Sequence, residues 1–259
     1  MISPGVKEGL FVTPNINPEG NEVVFHGAIK GFSRIWKYSL SENKTIALTD
    51  ENYIAIEPSY SWDEKQIVFA ADKGIEQKRE DMFKISNNLL KMGRMYLGGG
   101  PKILNIYLMD SNGKSLRQIT TWNGVDMQPS FSPDGKKIIF MSSYESGSLK
   151  KLNLYTVYIT GNEEPKLIPN SEGANRPWYS ADEKEIYYWK ELDERGTLCK
   201  MKSDGSNWQA LPDDIGGVGS HGPFIDSTGE WIWFHSVLDK DNPFNQIFKM
   251  PINGEALSL

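Results

Sequence analysis

Twelve residues recur five times in this chain, and that recurrence limits the fold more than any other feature. The copies run 14–25, 58–69, 129–140, 177–188 and 223–234, and they align without gaps. Each opens on a proline and closes on an aromatic residue: Phe25, Phe69, Phe140, Tyr188 and Phe234. The best-formed copy lies within Gln128–Ser143, with a short strand, Asp134-Gly135, and then Ile138, Ile139, Phe140 and Met141. Asp-Gly predicts a two-residue hairpin turn with positive φ at both positions. The unbroken apolar run predicts a strand buried on both faces. One hairpin cannot bury two faces, whereas a stack of repeated hairpins can. At the fourth repeat position stand Asn17, Ser61, Ser132, Ser180 and Asp226, polar side chains suited to hydrogen-bonding the turn backbone.

A third apolar strand follows each hairpin, at Ile35-Trp36, Ile106-Tyr107, Leu154-Tyr155, Leu198-Cys199 and Ile247-Phe248. A turn comes next, often Asn-Gly or Asp-Gly, and a fourth strand closes each unit near Leu48, Ile119, Leu167, Ala210 and Leu257. Four antiparallel strands recurring roughly every 45 residues are the pattern of a propeller blade. The repeat Pro-Ser-Phe-Ser-Pro-Asp-Gly-Lys-Lys-Ile-Ile-Phe resembles that of TolB-type propellers, the WD40-like or PD40 repeat, over nearly the whole chain. The resemblance implies an all-β, five-bladed β-propeller of four-stranded antiparallel blades. It implies little about activity, because that repeat serves scaffolds, peptidases and lyases. TolB propellers are usually six-bladed, so five copies depart from that pattern.

The expected domain is single, 1–259, with blades at about 8–49, 50–120, 121–168, 169–211 and 212–259. Blade two is interrupted by 72–104, too long for a hairpin loop. Apolar residues Met82, Phe83, Ile85, Leu89, Leu90 and Met92 in that insertion have helical spacing, which predicts a short amphipathic helix. Such a helix serves as a cap on the ring, a lid or a partner-binding arm. Gly98-Gly99-Gly100 is not followed by Lys-Ser or Lys-Thr, so it is not a phosphate loop. Closure of the ring rests on blade five packing against blade one, with 1–6 available as an outer strand.

The formal net charge is −6, which leaves no basic footprint for nucleic acid. The single cysteine, Cys199, falls in a predicted strand and reads as a small core residue. No run of about 18 apolar residues exists, so no membrane span is expected. The chain opens without a charged-then-apolar secretory segment. A cytoplasmic location follows from the chain as given, and a periplasmic one if a signal was removed, as the TolB resemblance implies.

Candidate site residues lie at the strand ends that face one mouth of a propeller channel. The three histidines are His26, His221 and His235. His26 and His235 each follow the repeat aromatic, and His221 lies two residues before Pro223. Gathered together, three imidazoles suit zinc, manganese or iron, with nearby oxygen ligands or water, and one of them suits a general base; the expected cofactor, if any, is a divalent metal, manganese, zinc or calcium. Kept apart, they are hydrogen-bonded strand-end residues. Phe25-His26-Gly27 followed by Arg34-Ile35-Trp36, with Ser220-His221 before Pro223, is similar in part to oligogalacturonate lyases. That resemblance implies a His-rich manganese site and a lyase acting on uronate-containing saccharides. Further ligand-binding candidates are Arg34, Glu57, Gln128, Asn175, Arg176, Trp189 and Lys190. Trp189 occupies the repeat position of His26 and His235, where an indole can stack on a sugar ring. Glu57, Gln128 and Arg176 directly precede the repeat proline. The sequence holds no Gly-x-Ser-x-Gly elbow for serine-hydrolase chemistry. The expected function is a binding module for a glycan, a small ligand or a protein. The alternatives are a metal-dependent lyase or hydrolase and a scaffold acting through 72–104. No residue is assigned a catalytic role.

Overall fold

The computed structural model describes residues 10–29, 32–51, 53–73, 104–122, 124–144, 152–193, 195–212, 220–236 and 246–252. The predicted helix in 72–104, the last strand expected near Glu255–Ser258 and the segment 1–6 lie outside the described residues.

Each hairpin copy forms the first two strands of its own antiparallel sheet. Sheet one holds β1 (Leu10–Ile16), β2 (Glu22–Ile29), β3 (Phe32–Ser39) and β4 (Lys44–Ala47). Sheet two holds β5 (Tyr53–Tyr60), β6 (Gln66–Lys73), β7 (Asn105–Asp110) and β8 (Arg117–Gln118). Sheet three holds β9 (Asp126–Phe131), β10 (Lys137–Ser142), β11 (Asn153–Tyr158) and β12 (Lys166–Leu167). Sheet four holds β13 (Asn175–Tyr179), β14 (Glu185–Leu192), β15 (Arg195–Lys202) and β16 (Gln209–Ala210). Sheet five shows β17 (Ser220–Ile225), β18 (Trp231–Ser236) and β19 (Gln246–Pro251). Strands are ordered sequentially within every sheet, as propeller blades require. The fold class is a five-bladed, all-β propeller. Two compact units are distinguished, Met1–Pro129 with Ser143–Leu149, and Ser130–Ser142 with Lys150–Leu259.

The hairpin turn differs from the sequence expectation. Asp134-Gly135 is not a two-residue loop with two left-handed residues. Ser132 N–H bonds Lys137 O at 2.9 Å, so four residues lie between the paired ends, and Gly135 N–H returns to Ser132 O at 2.9 Å. Only Gly135 is left-handed there, at φ 70°. Longer hairpin loops built on a type I turn have this form. The polar capping position acts as expected. Ser132 Oγ accepts from Lys137 N–H at 2.9 Å and donates to Asp134 Oδ1 at 2.7 Å. Ser61 and Ser180 repeat both bonds with Gln66 and Asp63, and with Glu185 and Asp182. Asn17 Oδ1 takes the Glu22 N–H at 2.8 Å.

The core of unit one gathers Val24 and Ile35 from sheet one with Ile67, Phe69, Ala71, Tyr107 and Met109 from sheet two. Val24, Ile35, Ile67 and Phe69 are fully buried, so their apolar area stabilises one sheet face against the next. In unit two, Phe140 stacks on Tyr155 at 6.3 Å, Phe234 on Phe248 at 5.8 Å, and Trp178 meets Phe224 edge-on at 4.9 Å. Ile138, Ile139, Phe140 and Met141 are all buried, so the apolar run does mark a two-faced strand. Cys199 is buried as well.

A hydroxyl latch closes three of the blades. Just beyond the fourth strand, Thr49, Thr120 and Ser171 accept the N–H of Ile35, Ile106 and Leu154 at 3.0, 2.8 and 2.9 Å. Thr120 also donates to Asp126 Oδ2 at 2.6 Å, and Trp122 Nε1 donates to Asp126 Oδ1 at 3.0 Å. Asp126 is wholly buried, and these donors offset the cost of burying its charge.

Candidate functional site

The residue before the repeat proline adopts a left-handed backbone in every blade. The values are φ 49° at Thr13, 56° at Glu57, 56° at Gln128, 49° at Arg176 and 61° at Gly222. The first-to-second strand register shifts across this point in sheets one, two, four and five, which makes it a β-bulge. Glycine takes this geometry without steric cost, and blade five uses it. The other four blades carry a side chain there at a cost of about 1–3 kcal/mol each. Those side chains are all polar, and a bulge re-aims a side chain away from its regular strand direction.

In unit one, the left-handed residues of three consecutive blades are tied by side chains. Thr13 Oγ1 lies 2.6 Å from His26 Nδ1. The same nitrogen accepts the Glu57 N–H at 3.2 Å, and the Glu57 carboxylate accepts the Gln128 N–H at 2.9 Å. Blade one therefore holds the backbone of blade two here, and blade two that of blade three. His26 is 8% and Glu57 4% exposed. A ring whose Nδ1 receives an N–H carries its proton on Nε2 when neutral, and that tautomer has no free lone pair for a metal. Arg34 is engaged within its own blade. Its Nε donates to Thr49 O at 2.7 Å, its guanidinium lies over Trp36 at 5.2 Å, and it stands 3.8 Å from Glu51. Burial pushes the Asp72 carboxyl, at the end of β6, above the ordinary range.

Unit two assembles a different edge. Asn175 and Trp189 are cross-strand partners in sheet four, and His221 and His235 hold the same two repeat positions in sheet five. Blade two has Ile56 opposite Ala70 at this place, and blade one has Val12 opposite His26. Polar pairs thus replace apolar or mixed ones in the last two blades. Arg176 reaches toward blade five. A Cβ on Gly222 would stand 3.1 Å from His235 Nε2 and 3.4 Å from Arg176 Cδ, so both side chains crowd one point. That crowding, with φ 61°, requires glycine there. Asn175 Nδ2 donates to Gly173 O at 2.7 Å, and the Lys190 stem lies over Gly173. Asn175, Arg176, Trp189 and Lys190 are all half-buried.

Within unit two the structure brings Asn175, Arg176, Trp189, Lys190 and His235 to one edge, and within unit one it ties His26, Glu57 and Gln128 into a bonded chain. Among the described residues, no group of three or more His, Cys, Asp or Glu side chains is placed to hold a metal ion. Thr13 was not picked out as a sequence candidate, although it shares the pre-proline position with Glu57, Gln128 and Arg176. Comparing all five copies at that one position identifies it.

A family model described as the TolB beta propeller domain, PD40, matches residues 98–257, more than half of the chain. Proteins named TolB homolog from Chlorobium luteolum and Chlorobium chlorochromatii are each 27% identical to it, over 143 and 150 residues. Those matches cover 48% and 51% of this chain but only 32% and 34% of the relatives, so the chain matches about a third of their length. TolB from Acinetobacter baumannii superposes with a TM-score of 0.67 at 18% identity, covering 95% of this chain and 52% of that one. A putative TolB from Agrobacterium tumefaciens gives 0.67 at 20% identity, covering 95% and 78%. An oligogalacturonate lyase in complex with manganese gives 0.57 at 12% identity, covering 94% and 66%. At these identities the solved structures share the fold, and the family match says more: this chain belongs to the TolB β-propeller (PD40) family.

Proposed function

We propose that this chain is a recognition module, binding a glycan, a small ligand or a protein segment through the edge formed by Asn175, Arg176, Trp189, Lys190 and His235. One observation carries the reading. The repeat positions that are apolar in blade two, Ile56 and Ala70, become Asn175 and Trp189 in blade four and His221 and His235 in blade five. Asn175, His221 and His235 add no apolar packing to their blades, because burying polar groups costs free energy. A planar indole beside a guanidinium and an amide suits stacking plus directed hydrogen bonding. Binding rather than chemistry is supported by His26 and Glu57, the buried groups best suited to acid–base work. Both spend side-chain acceptors on backbone N–H groups of the neighbouring blade.

The test is a binding screen of purified protein against immobilised acidic and neutral oligosaccharides and peptides, repeated with Trp189→Ala. The reading expects a hit that Trp189→Ala weakens at least about tenfold, as loss of a stacked aromatic does. A hit bound equally well by the variant would place recognition elsewhere.

A second reading, a metal-dependent lyase or hydrolase, draws on the register that sets His221 directly across from His235. It requires His26 to give up its bond to the Glu57 N–H before Nε2 can serve a metal. Metal analysis of the purified protein, with turnover of a uronate oligosaccharide in added manganese, separates the two readings. Stoichiometric metal together with an unsaturated product would displace the recognition reading.

A further inference from the structure

We propose that the ligand of the blade four edge is an acidic oligosaccharide, one carrying carboxylate or sulfate groups, and that Lys190 selects it by taking an anionic group. The proposal rests on the recognition reading above and adds the chemical class of the ligand and the residue that reads it. It starts from one position of the repeat. Two residues beyond the closing aromatic stand Gly27, Ala71, Ser142, Lys190 and Ser236 in blades one to five. Gly27, Ala71 and Ser142 are small and buried. Blade four alone puts a long, charged side chain there.

The structure makes room for that side chain. Lys190 is half-buried, and a Cβ on Gly173 would lie 3.5 Å from its Cε. Gly173 is left-handed at φ 76°, so the chain passes the Lys190 stem with no side chain of its own. The Asn175 amide closes on the same glycine, its Nδ2 donating to Gly173 O at 2.7 Å. The ammonium itself has no partner in the fold. Among the described residues Lys190 makes no ion pair and no hydrogen bond. Lys137, Lys184 and Lys200 of the same unit each pair with a carboxylate, at 3.2, 2.9 and 2.9 Å. Glu172 and Glu191 are close in sequence but exposed, and Glu191 leaves β14 on the face opposite Lys190. Holding a half-buried cation without a counter-charge costs free energy, and a bound anion offsets that cost.

The saccharide follows from what surrounds the ammonium. Asn175, Arg176, Trp189 and His235 include no aliphatic side chain. A peptide side chain is held by an apolar pocket, whereas a sugar offers a flat face to an indole and hydroxyls to an amide or guanidinium. β13 begins at Asn175, opposite Trp189, while β14 runs on to Leu192 paired only with β15. Trp189 and Lys190 therefore leave consecutive positions, on the two faces of the sheet, where its inner edge ends. An oligosaccharide lying across that edge meets both.

Isothermal titration of the whole chain with carboxylated, sulfated and neutral oligosaccharides of one length tests the proposal. Wild type is expected to bind at least one acidic form about tenfold or more tightly than the neutral form, as a charge-assisted hydrogen bond does. That preference should shrink as salt rises from about 50 to 500 mM. Lys190→Met and Lys190→Gln, with unchanged circular dichroism spectra, should lower the acidic-to-neutral affinity ratio at least about tenfold, and Lys190→Arg should keep it. A ratio near one in wild type, or a ratio that survives in both Lys190→Met and Lys190→Gln, overturns the proposal. If Trp189→Ala still weakens binding in that case, the recognition reading stands without it. Binding of acidic peptides but of no saccharide overturns the proposal as well. A chain that binds none of these probes, or binds them as well with Trp189→Ala, overturns both.

Discussion

Replacing Glu183 separates backbone strain from side-chain bonding at a single hairpin turn. Glu183 sits at φ 58°, where a residue with a Cβ costs about 1–2 kcal/mol. Its carboxylate reaches the preceding sheet of the same unit. Oε1 accepts the Asp134 N–H at 3.1 Å, and Oε2 accepts from Lys137 Nζ at 3.2 Å. The Glu183 and Lys137 side chains are 25% and 31% exposed, so solvent screens the ion pair. An exposed pair contributes about 0–1 kcal/mol, and a charged acceptor on a backbone N–H about 1.5 kcal/mol. Together they give the side chain about 2 kcal/mol. Glu183→Ala keeps the left-handed backbone and loses the carboxylate, so it should destabilise by about 2 kcal/mol and lower Tm by about 4–8 °C. Glu183→Gly loses the same bonds but relieves the strain, and should fall within about 1 kcal/mol of wild type. Urea titration and thermal melting followed by tryptophan fluorescence measure both. Equal losses for the two variants would show that the backbone is unstrained, and an unchanged Glu183→Ala would show that the carboxylate contributes nothing.

Two further perturbations address the turns. Gly135 and Gly205 are both left-handed, at φ 70° and 83°, but a Cβ on Gly135 meets nothing within 4 Å while one on Gly205 lands 2.2 Å from Pro169 O. Gly135→Ala should therefore cost about 1–2 kcal/mol, and Gly205→Ala about 3 kcal/mol or more, read by the same melts. The hairpin carboxylates also set an acid limit. Hydrogen bonds from the Lys184 ammonium, the Ser180 hydroxyl and the Lys184 N–H hold Asp182 at about 2, against an ordinary 3.8. Burial pushes Asp63 and Asp134 upward, but hydroxyl and backbone hydrogen bonds outweigh it and leave both below the ordinary range. A depressed carboxylate adds stability that is fully present above its unfolded value and is lost as pH falls through its folded one. Stability should thus decline as pH drops from about 4 toward 2, and Asp182→Asn should flatten part of that decline in pH-dependent urea midpoints.

The hairpins were legible because their information is local. A proline, a polar cap and an apolar run fall at fixed spacing, and each acts within a dozen residues of chain. The turn was misread at Asp134-Gly135 because Asp-Gly is compatible with several loop lengths, and the Ser132–Lys137 bond selects the longer one. The left-handed bulge before the repeat proline was not legible. A residue in that place is ordinarily extended, and only the sheet register shows the reversal. The partners of His26 were not legible either: its bonds to Glu57 N–H and Thr13 join residues 31 and 13 positions away, which repeat position alone does not reveal. Arg176, chosen only for preceding Pro177, gained meaning from Gly222. The missing Cβ there makes room for the Arg176 and His235 side chains together, a relation carried by space and not by spacing.

Arg176→Gly tests the recognition site most directly, because binding should fall far more than stability. Gly222 shows that glycine occupies this bulge in the neighbouring blade, so the variant keeps the backbone and relieves the strain at φ 49°. Relief of strain offsets the loss of the side chain's own contacts, so Tm is expected to stay within a few degrees of wild type, while affinity for whichever arrayed saccharide or peptide wild type binds falls at least about tenfold. Unchanged affinity in a variant that remains folded would contradict the assignment of the blade four and five edge as the binding site.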